Sequence, residues 1–364
     1  MKRWIKYFGL MIIFLATQCA QQYAITNQTG PDNLRYPQEK HLKNVTQLTF
    51  GGNNAEAYWS FDSKQLTFQS DYSPWTNGCD QIFRMTPGKS DLKNNKPIRI
   101  STGTGRTTCS YFMPGNKQIL YASTHAAGEA CPPAPERNPN GKYVWAIYES
   151  FDIYISDLDG KIIKRLTDTP GYDAEGTISP KGDKIVFTSV RDGDLDLYTM
   201  DIDGKNVKRI TYDLGYDGGA FFSPDGTKLV FRASRPKTDE AKKEYLELLH
   251  QGLVQPVEME LFVCNVDGSD LRQVTHLGKA NWAPYYLPDN KTIVFSSNHA
   301  ASRGYSFNLY TIKDDGTGLE KITYDQTFDS FPMFSPNGKY LVFASNRFNG
   351  GTRDTNLFVA EWVD

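Results

Sequence analysis

Six polar residues recur at one offset along this chain. Asn54, Thr107, Asp173, Asp217, Asn281 and Asp329 each stand six positions before a Ser or its equivalent at the head of a turn. Three are acidic and the others carry side-chain oxygens. Oxygen donors of this kind suit a hard cation, or the ammonium or guanidinium group of a partner. Gathered around an axis they would form a polar ring at a channel mouth. A divalent cation is the one cofactor such a ring would take, and no other is indicated. The plainer expectation is that each Asp or Asn satisfies a turn within its own unit, as these residues commonly do.

Other chemistry is thinly signalled, and no catalytic residue is assigned. The chain has no His-Glu-x-x-His, Gly-x-Ser-x-Gly, Walker loop or Cys-x-x-Cys. His41, His125, His250, His276 and His299 fall in separate units. His125 is the histidine to test, because it borders the longest insertion. Asp157-Leu158-Asp159-Gly160, Asp201-Ile202-Asp203-Gly204 and Asp314-Asp315-Gly316 are followed by a hydrophobic strand rather than further ligands, so they read as hairpin turns and not calcium loops. Arg191, Arg235 and Arg347 follow the second strand of their units, with Tyr72, His125 and His299 at equivalent places. Gln81, Asp152, Asp196, Glu260, Asn308 and Asn356 open the third strands. These two sets are expected to bond within each unit.

The elements that place these residues are repeats. Phe221 to Phe231, FFSPDGTKLVF, reads as strand, tight turn and strand. Pro224 presets φ, Asp225 bonds its own backbone and Gly226 accepts positive φ. The unit recurs from Tyr58, Tyr111, Thr177, Tyr285 and Met333. A second hydrophobic pair follows each, then a turn, then a short strand ending in pairs such as Leu166-Thr167 or Ile210-Thr211. Four short antiparallel strands per unit predict an all-β fold, a six-bladed β-propeller. The last unit stops at its third strand. Val45 to Thr49 has the form of the missing fourth and is expected to close the ring from the N-terminal side.

The Ser-Pro-Asp-Gly-x-Lys-hydrophobic unit, with Leu-Tyr and Asp-x-Asp-Gly after it, resembles the repeat of the TolB-like, WD40-like propeller family over about residues 42–364. The resemblance implies periplasmic work in envelope maintenance or transport through protein–protein contact. Family members normally carry an extra N-terminal α/β domain, for which this chain has no room before its first repeat.

Net charge is -2 with no basic block, which argues against a nucleic-acid partner. Residues 1–18 read as an export signal: Lys2, Arg3 and Lys6 precede a short apolar run, Leu10 to Ala16. Cys19 directly follows and is the expected lipidation site, giving a lipoprotein; a soluble periplasmic or secreted protein is the alternative. Ala20 after it favours the outer membrane. Residues 19–41 are expected to tether the lipid to the propeller, 42–364. An exported chain allows disulfides. Cys79 and Cys131 lie in the same connection of adjacent units and are the preferred bridge, leaving Cys109 and Cys264 as buried thiols.

Two insertions, Thr124 to Ser150 in blade 2 and Pro236 to Val257 in blade 4, join second to third strands and so share one face. Lys242 to Leu253 has the spacing of a short amphipathic helix. The insertions are expected either to bound a cleft over blades 2–4 or to cap the sheet ends. Trp75, His125, Tyr143, Trp145, Tyr245 and Trp282 are the binding-face candidates. The expectation is a monomeric, lipid-anchored, non-enzymatic scaffold on the periplasmic side of the outer membrane, holding an envelope protein or peptide. The alternatives are a hydrolase or lyase at the channel, or a glycan or small-molecule receptor.

Overall fold

The computed structural model describes residues 33–76, 78–135, 142–302 and 304–364. The export signal and Cys19 lie outside them. Six four-stranded antiparallel sheets follow one another around an axis. Blade 1 holds Asn54–Trp59, Leu66–Ser70, Gln81–Met85 and Ile98–Arg99. Blade 2 holds Thr107–Phe112, Gln118–Ser123, Asp152–Asp157 and Ile162–Arg165. Blade 3 runs from Asp173–Ile178 to Lys208–Arg209, blade 4 from Asp217–Phe222 to Arg272–Gln273, and blade 5 from Asn281–Tyr286 to Glu320–Lys321. Blade 6 is built from Asp329–Phe334, Tyr340–Ser345, Asn356–Trp362 and, as its outer strand, Leu42–Gln47. The N-terminal strand therefore closes the ring.

The repeat residues have specific work. In blade 4 the Ser223 hydroxyl accepts from Lys228 N at 3.0 Å and donates to Asp225 at 2.6 Å, which ties off the hairpin. A Thr at the end of the fourth strand holds it to the third in five blades, and in blade 1 Ser101 Oγ does so, accepting from Ile82 N at 3.0 Å. Thr167, Thr211, Thr275 and Thr323 Oγ1 accept from Ile153, Leu197, Leu261 and Leu309 N at 2.8–2.9 Å. In blade 6 Thr49 performs the same step on Leu357 N, 2.8 Å. The same hydroxyls donate to the third-strand acids and amides, as in Thr211 to Asp196 at 3.2 Å and Thr275 to Glu260 at 2.5 Å. A strand only two residues long is stable here because a buried side-chain hydrogen bond replaces missing ladder bonds.

Part of the segment expected as tether is packed. Glu39 is fully buried and meets Arg347 at 2.9 Å, and Arg347 also reaches Asp329 at 3.3 Å. Tyr36 stacks on Phe348 at 5.4 Å and donates to Asp325 at 2.6 Å. Residues 33–41 thus dock on blades 5 and 6.

The cleft is filled. Trp145–Ala146 and Leu253–Val254, one from each insertion, pair as a small antiparallel sheet over blade 3. Ile147 N donates to Gly252 O at 2.7 Å, and Lys142 pairs with Glu244. The predicted helix is Asp239–His250, capped by Thr238, whose hydroxyl accepts from Ala241 N. Tyr245 and Leu248 face inward, and the Tyr245 hydroxyl donates to Asp194 of blade 3 at 2.5 Å. Beneath lies a buried cluster that includes Ile147, Phe151, Tyr172, Tyr216, Val254, Trp282 and Phe307. The two insertions are one lid. Apolar area unpaired on either loop alone is covered by the other, which is why neither stands open. Cys79 and Cys131 are bonded, with Cα atoms 5.8 Å apart, so the blade 2 insertion is also fixed to blade 1. Cys109 and Cys264 are free and buried.

Candidate functional site

The polar ring expected at the channel mouth lies elsewhere. Asn54, Thr107, Asp173, Asp217, Asn281 and Asp329 are all at most 1 % exposed. Three are held by the arginine that follows their own second strand: Asp173 by Arg191 at 2.9 Å, Asp217 by Arg235 at 2.7 Å, Asp329 by Arg347. The other three reach the preceding blade. Thr107 Oγ1 donates to Asp80 O at 3.0 Å, Asn281 Nδ2 to Met259 O at 2.9 Å, and Asn54 Nδ2 to Thr355 O at 2.9 Å. Their backbone N–H groups cross the same seam, as in Asp173 N to Phe151 O and Asp217 N to Leu195 O. This register bolts blade to blade. The reason lies in strand order: the first residue of each inner strand sits beside the third strand of the blade before, not on the axis.

The arginines also lie flat on aromatic rings, Arg191 at 5.0 Å from Tyr198 and Arg347 at 4.8 Å from Phe343. His125 and His299 take the same place, 4.3 Å from Tyr154 and 4.6 Å from Tyr310, each with Nδ1 on the Ser two residues earlier. Burial lowers the pKa of His125, and Arg165 nearby adds to that. Among the binding-face candidates, Trp75 is 5 % exposed and packed against Tyr72, Phe68 and Phe83 in the core of blade 1. Tyr245 and Trp282 are buried under the lid. Only Tyr143, 52 % exposed, and Trp145, half-buried, remain at its surface.

The axis is lined two residues further along. Every inner strand carries a bulge there, with a register shift against its neighbour in all six blades. The bulged residue is Glu56, Cys109, Glu175, Gly219, Ala283 or Phe331, each with φ between 46° and 59°. A bulge of this sort re-aims its side chain. All six keep some accessible surface while the strand positions around them are largely covered. The sequence did not single out this set, because its residue types share no property.

Two residues beyond the bulge, Tyr58, Tyr111, Phe221 and Tyr285 meet across the axis. Tyr58 lies 5.8 Å from Tyr111 and 5.6 Å from Phe221 of the opposite blade, and Phe221 lies 5.3 Å from Tyr285. The Tyr111 and Tyr285 hydroxyls are hydrogen bonded. This aromatic plug floors the axial space, and Trp145 of the lid packs 5.2 Å from Trp282 of blade 5 above it.

Between plug and lid the charges are arranged unequally. Glu175 accepts from the Tyr216 hydroxyl at 2.7 Å, Thr188 Oγ1 at 2.8 Å, Gly219 N at 2.8 Å and Arg232 Nη2 at 2.5 Å. Arg232 comes from the second strand of blade 4 and lies 5.3 Å below the Trp145 ring. A Cβ at Gly219 would stand 2.0 Å from Arg232 Nη1, so the glycine is what lets the arginine in. Burial opposes the Arg232 charge, but Glu175, Tyr216 and Glu56 outweigh it and keep its pKa raised. Glu56 is different. Its Oε2 is covered and has no hydrogen-bond partner, and its contact is the Cys109 thiol. Burial pushes its pKa up to about 7, the thiol bond working against that. Burial raises the Cys109 thiol too, which disfavours its thiolate.

Among the described residues no three His, Cys, Asp or Glu gather closely enough to hold a metal ion. Two shallow pockets lie off the axis. One of about 290 Å³ sits by Asp152, Arg165 and Asp168, and one of about 240 Å³ by Gln81, Gly103 and the Cys79–Cys131 bridge.

Six blades around a plugged axis define a β-propeller. A family model described as the TolB beta propeller domain matches residues 126–253. Among solved structures the chain is similar to a putative TolB from Agrobacterium tumefaciens, at 20 % identity and TM-score 0.55, covering 86 % of this chain and 91 % of that one. It is also similar to TolB from Acinetobacter baumannii, at 19 % identity and TM-score 0.51, covering 86 % of this chain and 64 % of that one. A search of curated proteins gives no match. The chain is a six-bladed β-propeller, and residues 126–253 of it match the TolB beta propeller domain model.

Proposed function

We propose that this propeller is an exported, lipid-anchored scaffold that holds a protein partner on its lid face without chemistry of its own. The observation that carries this reading is the lid. Two loops from non-adjacent blades zip into one sheet-and-helix platform, locked by Tyr245 on Asp194, yet leave Tyr143, Leu246 and Val257 exposed. Aromatic and aliphatic side chains on a rigid base are the composition of a protein-binding surface. Export rests on residues 1–18, and the anchor on Cys19. No helix among the described residues is long and apolar enough to cross a membrane.

The test is capture from native envelopes. Proximity labelling is run with the wild-type chain, with Tyr143→Ser plus Leu246→Ser, and with Cys19→Ser. A discrete protein lost from the lid variant, while its melting temperature is unchanged, supports the reading. An identical set of captured proteins from both places the partner elsewhere. Retained membrane association in Cys19→Ser removes the anchor from the proposal.

A further inference from the structure

Among the described residues the exposed aromatic side chains all lie on one face. Phe50 and Tyr212 stand in connections between blades, and Tyr143, Tyr305 and Phe348 in second-to-third-strand loops. Both kinds of connection lie at the end of the propeller that bears the lid. The other end is made of hairpin turns whose tips expose Lys181, Asp225, Asp267 and Asp289. Single exposed rings need no explanation, but their confinement to one face does.

Three of these rings form an arc over blades 5, 6 and 1: Tyr305, 78 % exposed, Phe348, 46 %, and Phe50, 37 %. Hydrogen bonds make the arc continuous. Phe307 N donates to Thr327 O at 3.1 Å, and Thr327 N to Asp325 at 2.7 Å. Asp325 holds the Tyr36 hydroxyl, and the Tyr36 ring lies on Phe348. Further on, Asn349 Nδ2 donates to Asp354 O at 3.1 Å, and Gly52 N to Asp354 Oδ1 at 3.0 Å.

The described chain begins on this arc. Leu34 O accepts from Arg347 Nη1 at 3.2 Å. His41 meets Val363 O at 2.9 Å, past the far end of the third strand of blade 6. Residues 34–41 therefore run from the lid face toward the opposite one, and Asn33 is on the lid side. A lipid on Cys19 could stand no more than about 50 Å from Asn33, even with the chain between them fully extended. A lipid-anchored chain is thus held by this face, and a bilayer is the surface brought within reach of the arc. Tyr and Phe suit that contact, because their rings settle at the boundary between headgroups and hydrocarbon.

We propose that the arc of Phe50, Tyr305 and Phe348 rests in the headgroup layer of a phospholipid bilayer and turns the lid toward that membrane. The proposal rests on the anchor reading at Cys19 and adds which face the anchor presents. Three rings are too few to hold the chain; they orient a chain that the lipid already holds. A partner on the lid is then met at the same membrane surface.

The test is fluorescence quenching on the acylated full-length chain, in vesicles of phosphatidylethanolamine and phosphatidylglycerol that contain brominated lipid. An environment-sensitive fluorophore is attached at Ser302→Cys, in the loop of Tyr305, or at Thr352→Cys, in the loop of Phe348. Lys181→Cys carries it on the opposite face. Quenching is expected to be about threefold stronger at the first two positions than at the third. Tyr305→Ser plus Phe348→Ser should bring all three to one level without a change in melting temperature. Should Phe348→Ser loosen Tyr36, Tyr305→Ser alone decides, since that ring stacks on no other, and it should weaken the quenching at Ser302→Cys. Equal quenching at the three positions, or quenching unchanged by Tyr305→Ser, overturns the proposal. A sedimentation coefficient lowered by these substitutions would put a second copy of the chain on the arc and overturn it equally. The anchor is judged apart, by the mass of the mature chain. If Cys19 proves unacylated, the same probes are read on that chain with vesicles in excess. Quenching confined to the Ser302 and Thr352 positions then still supports the arc, and none overturns it.

Discussion

Asp173 and Glu175 lie two residues apart on one strand and belong to different parts of the molecule. The Asp173 register is polar in all six blades, fully covered, and bonded to the blade's own arginine or across the seam to the blade before. The Glu175 register mixes Glu, Cys, Gly, Ala and Phe, keeps accessible surface, and faces the axis. The uniform register is structural because every blade poses the same problem at its seam. The varied register is free to differ because each residue there meets the centre only once. Uniformity across repeats marks the device that holds the ring together, and the departure from uniformity marks the place where this ring differs from others.

The largest effect is expected where the bolts are most buried. Arg347→Ala leaves Glu39 and Asp329 uncompensated in a site with no solvent, at a cost of about 3–5 kcal/mol in urea unfolding. A loss under 1 kcal/mol would mean that residues 33–41 do not dock as described. Next comes Asp173→Ala, which strands Arg191 at the seam of blades 2 and 3. Arg191 is partly exposed, so the expected loss in urea unfolding is smaller, about 2–3 kcal/mol. An equal loss on Glu175→Ala would erase the distinction between the registers.

Between these and the surface lies a pH effect. Burial raises Glu56 to about 7, Asp217 to about 8 and Asp196 to about 6, although Arg235 and Arg209 pull the last two down. Arg235 stands 2.7 Å from Asp217 without an aligned hydrogen bond, which leaves burial dominant there. The unfolded chain titrates these groups near 4, so between about pH 4 and 8 the folded state holds more protons. Their contribution to stability is complete below pH 4 and is lost as pH rises through 6 to 8. The melting temperature should fall between pH 5.5 and 8.5, and fall less in Glu56→Gln, which removes the axial share alone. A slope unchanged by that substitution would place the effect wholly at the bolts. Smallest is Lys142→Ala on the lid, where a half-exposed ion pair to Glu244 contributes under about 1 kcal/mol by double-mutant cycle.

The repeat was legible in the sequence because its signals are local. Ser223-Pro-Asp-Gly makes its own hairpin, and Thr211 reaches a strand only 14 residues back. Ring closure by Val45 to Thr49 was legible too, since a strand missing at one end and spare at the other has one place to go. The helix at Asp239–His250 showed its period. The structure alone decided the rest. Whether Trp75 belongs to a binding face or to the core depends on Tyr72 and Phe83 folding around it. That the insertions close on each other follows from edge pairing of residues 107 apart. The axial residues were hidden because a bulge breaks the alternation that sequence reading relies on, and one inserted residue turns a side chain to the other face. One trace was present. At the strand position of Arg232 the other blades carry Gln69, Ala122, Thr188, Ser296 and Ala344, and the facing bulge opposite the arginine is the ring's single glycine, Gly219. A long charged side chain gained where a Cβ is lost is a packing statement, and only the assembled ring shows what it packs against.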